Sequence, residues 1–392
     1  MINSELVLGL PGYQITGSER GSGQVRLRVR HAGPVACPHC GNVGLRSKGR
    51  CDRTLRHEDW GLRHVVIELE ARKFQCRECG RHFRQRFPGI QPWQRASEAF
   101  QRQIFRFHLD GISRSLLARR EGIGAATVQR YFESGLKRQF GQWHPSRCPP
   151  VLGIDEHFFT RRQGFATTLC DLRRHKVYDV VLGRSEAALA AYFERLEGKA
   201  EVKLVCMDLS STYRSLVRKH FPNALIVADR FHVIRLINHH FLACWRDLDP
   251  AGSKNRGLLS LMRRHRHNLK PVQLVRLMNY LAGQPALELI YRFKQRLCYL
   301  LLKKHRSRKQ CHPLAARLLK AIGQLRESGL AQLAALGETL HNWRNEIGLM
   351  WRFTRNNSMT EGFHTKMELI NRQAYGFRNF KNYRMRVKVQ CA

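Results

Sequence analysis

The chain has 392 residues, enough for two or three domains, and carries 69 Lys and Arg against 30 Asp and Glu, a formal charge of +39. Each phosphate neutralised by a Lys or Arg releases condensed counterions, so a surface this basic makes nucleic acid the expected partner. Apolar runs fall far short of the roughly 18 residues of a membrane span, and residues 1–10 carry Glu5 and no basic cluster, which argues against a membrane partner or a secretory signal and predicts a cytoplasmic protein.

Residues 7–87 read as short strands. Val25, Leu27 and Val29 alternate with Arg26, Arg28 and Arg30 at a period of two, and Val65, Ile67 and Leu69 repeat the pattern. Within this stretch Cys37-Pro-His-Cys40 and Cys76-Arg-Glu-Cys79 form two CxxC knuckles separated by 35 residues, each followed by a glycine, Gly41 or Gly80. Four thiolates at the corners of a tetrahedron suit Zn²⁺ and leave no open coordination position, so Cys37, Cys40, Cys76 and Cys79 are expected to hold a structural zinc. His39, His57 and His82 are expected to be bystanders. The other cysteines of the twelve are scattered singly in a large chain, which predicts reduced thiols rather than a disulfide scaffold.

Over residues 97–137 the period becomes helical, with Phe100, Ile104 and Phe107, then Leu116 and Leu117, then Val128, Tyr131 and Phe132, and three short helices are predicted. Residues 112–131 read as helix, glycine-bearing turn, helix, the grammar of a helix-turn-helix. The second helix of such a pair enters the major groove, which makes Thr127, Gln129, Arg130 and Arg138 the candidate DNA contacts. A plain helical spacer is the competing reading. Pro145, Pro149 and Pro150 predict a linker over residues 143–150.

Beyond it the pattern predicts strands over 151–154, 165–172 and 176–182, a helix over 185–196, a strand over 202–207, a helix over 211–220 and a strand over 224–228. Three strands with short connections followed by alternating helix and strand make a mixed α/β sheet, in the order of RNase H-like folds. From about residue 232 to 352 the chain is Leu-rich and basic with helical spacing, including Leu274, Leu277, Leu281, Leu314, Leu318, Leu319 and Ile322, and a last helix follows over 358–371. The expected architecture is multidomain α+β. It comprises a zinc-binding β module (1–90), a helix-turn-helix (91–145) and an RNase H-like mixed α/β domain (146–392) with an all-helical insertion over about 240–350.

Asp155 follows Val-Leu-Gly-Ile and Asp208 follows Lys-Leu-Val-Cys-Met, which places both acids at strand ends. If the first and fourth strands are neighbours, the two carboxylates lie about one interstrand spacing apart, ~4.8 Å. Such a pair repels, and Mg²⁺ (or Mn²⁺) is the natural way to keep both ionised. Glu361 is the expected third acid: Ser358 can cap a helix whose apolar side is Met359, Phe363, Met367 and Ile370, leaving Glu361 with His364, Thr365 and Glu368 on the polar side. One cation at Asp155 and Asp208 and a second shared with Glu361 would serve an in-line displacement at phosphorus. Asp229 ends a strand two spacings from the first, roughly 10 Å away, too far to share a cation with Asp155, so Asp229 and His232 are accessory. Glu156 should point the other way and pair with a base.

The segments CPHCG, CRECGRHF, GIDEHFF, MDLSSTYRSLVRKHFPNALIVADRFHVIRLIN and NNSMTEGFHTKMELINRQAYGFRNFKNYRMR stand in that order. Over nearly the whole chain the sequence resembles the ISL-three family of bacterial insertion-sequence transposases. The resemblance implies an RNase H-like fold, catalytic acids at Asp155, Asp208 and Glu361 with a helical insertion between the last two, and an accessory D-x-x-H motif at Asp229 and His232. It also implies cutting at the inverted repeats of the element and joining of the freed 3′-OH to target DNA. Double-stranded DNA is then the partner, and pairing two element ends makes a homo-oligomer the expected assembly. Two other readings stay open, a DNA-binding regulator with an inert α/β domain and an RNase H-like nuclease.

Overall fold

The computed structural model describes residues 7–141, 147–353 and 358–391, with side chains from 360 onward in the last segment. The chain divides into two compact units, Met1–Gln142 with Arg372–Gly376, and Trp143–Asn371 with Phe377–Ala392.

The first unit opens with β1 (Tyr13–Arg20), β2 (Gln24–His31), β3 (Leu45–Arg50), β4 (Arg53–Trp60), β5 (Arg63–Leu69), β6 (Arg72–Cys76) and β7 (His82–Arg84). They form a four-stranded sheet in the order β1-β2-β5-β4 and a three-stranded sheet in the order β3-β6-β7. The period-two pattern sets the register of the larger sheet: Val25, Leu27 and Val29 pair in parallel with Val65, Ile67 and Leu69, and all six are buried. Arg26 and Glu68 pair at 3.0 Å on the opposite, solvated face.

The smaller sheet carries the knuckles. Cys37 Sγ lies 3.7 Å from Cys79 Sγ and Cys40 Sγ lies 3.5 Å from Cys76 Sγ, with all four sulfurs within 4.8 Å of one another. A tetrahedral zinc site with Zn–S bonds of about 2.3 Å has S–S edges of about 3.8 Å, so the four thiols fit zinc. Gly41 (φ +74°) and Gly80 (φ +69°) take the left-handed conformation that turns each knuckle inward, and their amides donate to the Cys37 and Cys76 carbonyls at 2.9 and 3.1 Å. Among the described residues no histidine joins the sulfurs. His57 is instead a core residue, bonded to Ser97 Oγ at 2.8 Å and the Leu8 carbonyl at 3.0 Å. The twelve cysteines are free thiols.

Three helices complete the unit: α1 (Glu98–Leu109), α2 (Arg114–Glu121) and α3 (Ala125–Gly141). Ser97 and Ser113 cap the first two by accepting from the Phe100 and Leu116 amides. Phe100, Ile104, Leu117, Val128 and Tyr131 form their core. Leu116 points outward, one helical step from buried Leu117, and α3 spans 17 residues rather than a short helix. At Gly135 a Cβ would overlap the Phe105 ring, so α1 and α3 cross at glycine distance. Of the expected linker, residues 143–146 lie outside the described residues.

The second unit contains β8 (Val151–Thr160), β9 (Gly164–Asp171), β10 (Lys176–Leu182), α4 (Glu186–Glu194), β11 (Leu204–Met207), α5 (Ser211–His220) and β12 (Leu225–Ala228). The sheet order is β10-β9-β8-β11-β12, antiparallel at β10-β9-β8 and parallel at β8-β11-β12. One departure from expectation bears on the site. β8 does not stop before Asp155 but runs on to Thr160, because residues 155–160 keep pairing with β9 after β11 has ended. Asp155 is thus inside a strand, not at its end.

A helical segment follows β12: α6 (Arg230–Leu248), α7 (Pro250–Ser253), α8 (Arg256–Arg263), α9 (Pro271–Ala282), α10 (Pro285–Leu302), α11 (Arg308–Arg326), α12 (Ala331–Asn342) and α13 (Arg344–Leu349). Leu277, Leu281, Leu314, Leu318 and Ile322 are buried as their spacing predicts, Leu274 is half-buried, and Leu319, one residue off the stripe, is exposed. Two helices close the unit, α14 (Ser358–Gln373) and α15 (Phe380–Cys391). The proposed cap by Ser358 and the side chain of Met359 lie outside what is described, whereas Met367 and Ile370 are buried.

Both faces of the sheet are covered. Ile154, Leu169, Tyr178, Val205 and Met207 pack with the helical segment, and Ala166, Cys170, Val177, Val180 and Cys206 pack with Met367, Tyr383 and Val387 of the last two helices. Buried Asp179 of β10 anchors α15: it pairs with Arg384 through both carboxylate oxygens, approaches Lys388 Nζ at 3.5 Å and accepts from Tyr192 Oη at 3.0 Å.

Two outcomes are expected. The purified chain carries one zinc by elemental analysis, and Cys40→Ser loses it together with protection of the β3-β6-β7 amides in hydrogen exchange; a zinc-free wild type with the same protection would refute the assignment. Asp179→Asn leaves Arg384 and Lys388 without a buried counter-charge and lowers the stability of the second unit by on the order of 3 kcal/mol in denaturant titration, whereas an unchanged midpoint would show that α15 is held by packing alone.

Candidate active site

In the parallel pairing of β8 and β11, Ile154 stands opposite Met207. The next residue of each strand is an acid, so the register delivers Asp155 and Asp208 side by side where the parallel pairing ends. Asp155 is 3% exposed, and its Oδ1 accepts from the Glu156 amide at 2.8 Å. Burial, reinforced by the Asp208 carboxylate, pushes the Asp155 carboxyl up to about 7.

A third group reaches the pair from an unexpected direction. Asp229 caps α6 by accepting from the Phe231 amide, and His232 on the first turn of that helix turns back over the strand ends. His232 Nδ1 lies 3.0 Å from Asp208 Oδ2, and its Nε2 lies 3.7 Å from Asp229 Oδ2. Burial opposes its charged form, but the bond to Asp208 and the nearby Asp229 and Asp155 carboxylates prevail and raise its pKa. His232 therefore serves as the local counter-charge. Asp155, Asp208 and His232 each offer an atom within 4.8 Å of the others. Interstrand spacing sets Asp229 apart from Asp155, and the first turn of α6 brings the accessory His232 back to the acid pair.

The donor set fits a hard divalent cation. Asp208 Oδ1 is buried and accepts no hydrogen bond, and it stands beside a second buried carboxylate that its own charge disfavours. Carboxylate oxygens so arranged match Mg²⁺ or Mn²⁺ better than a soft metal.

Glu361 does not join this group among the described residues. It is half-buried on α14, three residues before His364, hence on the same flank of the helix. His364 Nδ1 stands 3.7 Å from Asp155 Oδ2 and its Nε2 bonds Thr168 Oγ1 at 3.1 Å. From Thr168 the chain continues to His157 Nδ1 at 2.9 Å, and His157 Nε2 meets Tyr383 Oη at 2.8 Å. Burial lowers the two imidazoles to about 4 and about 3 respectively, so both are neutral spacers between the acid and α15. The polar flank of α14 had pointed to His364, but Thr168 and Tyr383 had no local signal. Glu156 points away from the acids and pairs with Arg184 at 3.2 Å, as its alternation required.

In the first unit, α3 carries Thr127, Gln129, Arg130 and Arg138. The last three are exposed and Thr127 is half-buried, opposite the buried Val128, Tyr131 and Leu136. Arg114 donates to Gln129 Oε1, and Arg130 donates to Thr127 Oγ1 at 3.2 Å. No helix among the described residues is long and apolar enough to cross a membrane.

Comparison with known proteins accords with this layout. Residues 152–387, which include Asp155, Asp208 and Glu361, match the ISL3 transposase family, and residues 33–79, which include both knuckles, match the zinc finger of the IS204, IS1001, IS1096 and IS1165 transposases. The transposase for insertion sequence element IS1001 of Bordetella parapertussis is 25% identical over 407 residues, covering 99% of this chain and 98% of its own. Transposases for insertion sequence element IS1557 from two strains of Mycobacterium tuberculosis are 23% identical over 222 residues, 53% of this chain and 47% of theirs. The family match takes in more than half of the 392 residues, and the chain belongs to the ISL3 (ISL-three) family of insertion-sequence transposases.

Proposed function

We propose that this transposase is a DDE enzyme that binds the terminal inverted repeats of its own element and performs Mg²⁺- or Mn²⁺-dependent strand cleavage and strand transfer. The observation that carries the reading is the pairing of buried Asp155 with half-buried Asp208 at the end of adjacent parallel strands, with an orphaned Asp208 carboxylate oxygen and a histidine as counter-charge. In this reading residues 146–392 are an RNase H-like catalytic domain with its helical insertion, residues 1–90 a zinc domain, and residues 91–145 a helix-turn-helix.

Asp155 and Asp208 hold the cation, with Glu361 as the third acid, a role supported by its place one helical turn from the His364 that approaches Asp155. When bound, a divalent cation supplies the positive charge that stabilises an in-line displacement at phosphorus. His232 holds the Asp208 carboxylate in place and Asp229 orients His232, while His364 supports Asp155 from the other side. On α3, Gln129, Arg130 and Arg138 meet the element ends, with Thr127 bracing Arg130. Pairing two ends calls for at least two copies of the chain.

Asp155→Asn or Asp208→Asn is expected to abolish cleavage of a terminal-repeat substrate while leaving its gel shift within a few-fold of wild type. Cleavage at the wild-type rate by either variant would remove the site. A second outcome follows from the raised Asp155 carboxyl. At Asp155 the cation-free folded state holds more protons than the unfolded chain between about pH 4 and 7, so the contribution of this group to stability falls as pH rises through that window. At pH 8 the cation-free Asp155→Asn chain melts above wild type, the two converge near pH 4, and Mg²⁺ raises only the wild-type midpoint. A wild-type midpoint indifferent to Mg²⁺ would contradict cation binding by the pair.

A further inference from the structure

The helical segment carries a charged feature that the acid site does not use. Between α10 and α11 lies a groove of about 420 Å³. One wall presents Arg296, Tyr299 and Lys303, and the other presents Arg317, Lys320 and Gln324. Each trio is spaced i, i+3, i+7, which keeps it on one helical flank and sets cations along both walls. Two other cations of these helices are paired, Arg292 with Glu288 and Arg326 with Glu338, both at 2.6 Å. The groove has no carboxylate in its lining, and among the described residues none of its four cations has an acidic partner.

Four like charges converging on one cleft repel, and that arrangement is relieved by an anion lying along it. Seven helical residues rise about 10 Å, a length that takes in more than one phosphate of a DNA strand. Tyr299 is 67% exposed beside Lys303 Nζ, 5.6 Å from its ring, and offers a face for a base. The groove is also tied to the acids. Arg230, the residue between Asp229 and the turn carrying His232, donates to the carbonyls of Leu301 at 3.0 Å, Lys303 at 3.4 Å and Met350 at 2.6 Å.

We propose that the α10–α11 groove is a DNA-contacting surface that holds the phosphodiester backbone on its way to the acid cluster. The proposal rests on DNA being the substrate of that cluster. It assigns the helical segment a positioning role, with sequence-independent contacts whose strength depends on salt.

The test is acetylation footprinting of the zinc-loaded full chain, read by mass spectrometry, with a short duplex, a single strand of the same length, and polyglutamate as a non-nucleic polyanion. Labelling of Lys303 and Lys320 is expected to fall several-fold with saturating duplex or single strand. Protection by the single strand alone would assign the groove to an unpaired end. The combined variant Arg296→Ala, Arg317→Ala and Lys320→Ala is expected to reduce the slope of log affinity against log salt by about 2.7. If Lys73 and Lys137 of the first unit become protected while Lys303 and Lys320 do not, the groove proposal fails and DNA binding stands. If no lysine is protected by either nucleic acid, the DNA reading itself fails. Protection of the groove by polyglutamate and not by DNA would overturn the proposal in favour of an acidic protein partner.

Discussion

Electrostatic repulsion between two carboxylates organises the second unit. The parallel register of β8 and β11 brings deeply buried Asp155 against half-buried Asp208, and burial compounds the repulsion at Asp155. What surrounds them answers that strain: a histidine whose charge is favoured, a helix start capped by Asp229, and a second histidine kept neutral by burial so that it adds no competing charge. In a chain with a formal charge of +39 this is an acidic spot set in a basic field. Such a field attracts polyanions, and two crowded carboxylates attract cations.

Much of this was legible in the sequence where chemistry is local. Alternating Val25, Leu27 and Val29 announced a strand, and the register partner carries the same alternation. Paired knuckles announced four converging sulfurs because each glycine provides a turn that other residues resist. What could not be read was set by tertiary geometry. β8 continues past Asp155 because a hairpin partner is available, a fact held in residues 164–171 rather than in β8 itself. The closeness of the accessory His232 to Asp208 was not legible because interstrand distances say nothing of a helix that doubles back. The contact path from His364 through Thr168 and His157 to Tyr383 joins four residues spread over more than two hundred positions, so no local window contains it.

The helical segment is continuous with the site at its origin. α6 begins on the residue after Asp229, and Arg230 fastens the exits of α10 and α13 to that start. Three carbonyls gathered by one buried guanidinium make the loop after α10 rigid where it meets the sheet. Arg230 thereby joins these helices to the turn that carries Asp229 and His232, the groups that reach Asp208.

The clamp on the last helix has a consequence for biosynthesis. Cys206, two residues before Asp208, shares its core with Tyr383 and Val387. While a nascent chain is still on the ribosome, that face of the sheet stays uncovered until Met367 and Ile370, and then Tyr383 and Val387, have emerged. The sheet face behind the acid pair is thus closed only after the last two helices have followed, well after the zinc knuckles have emerged.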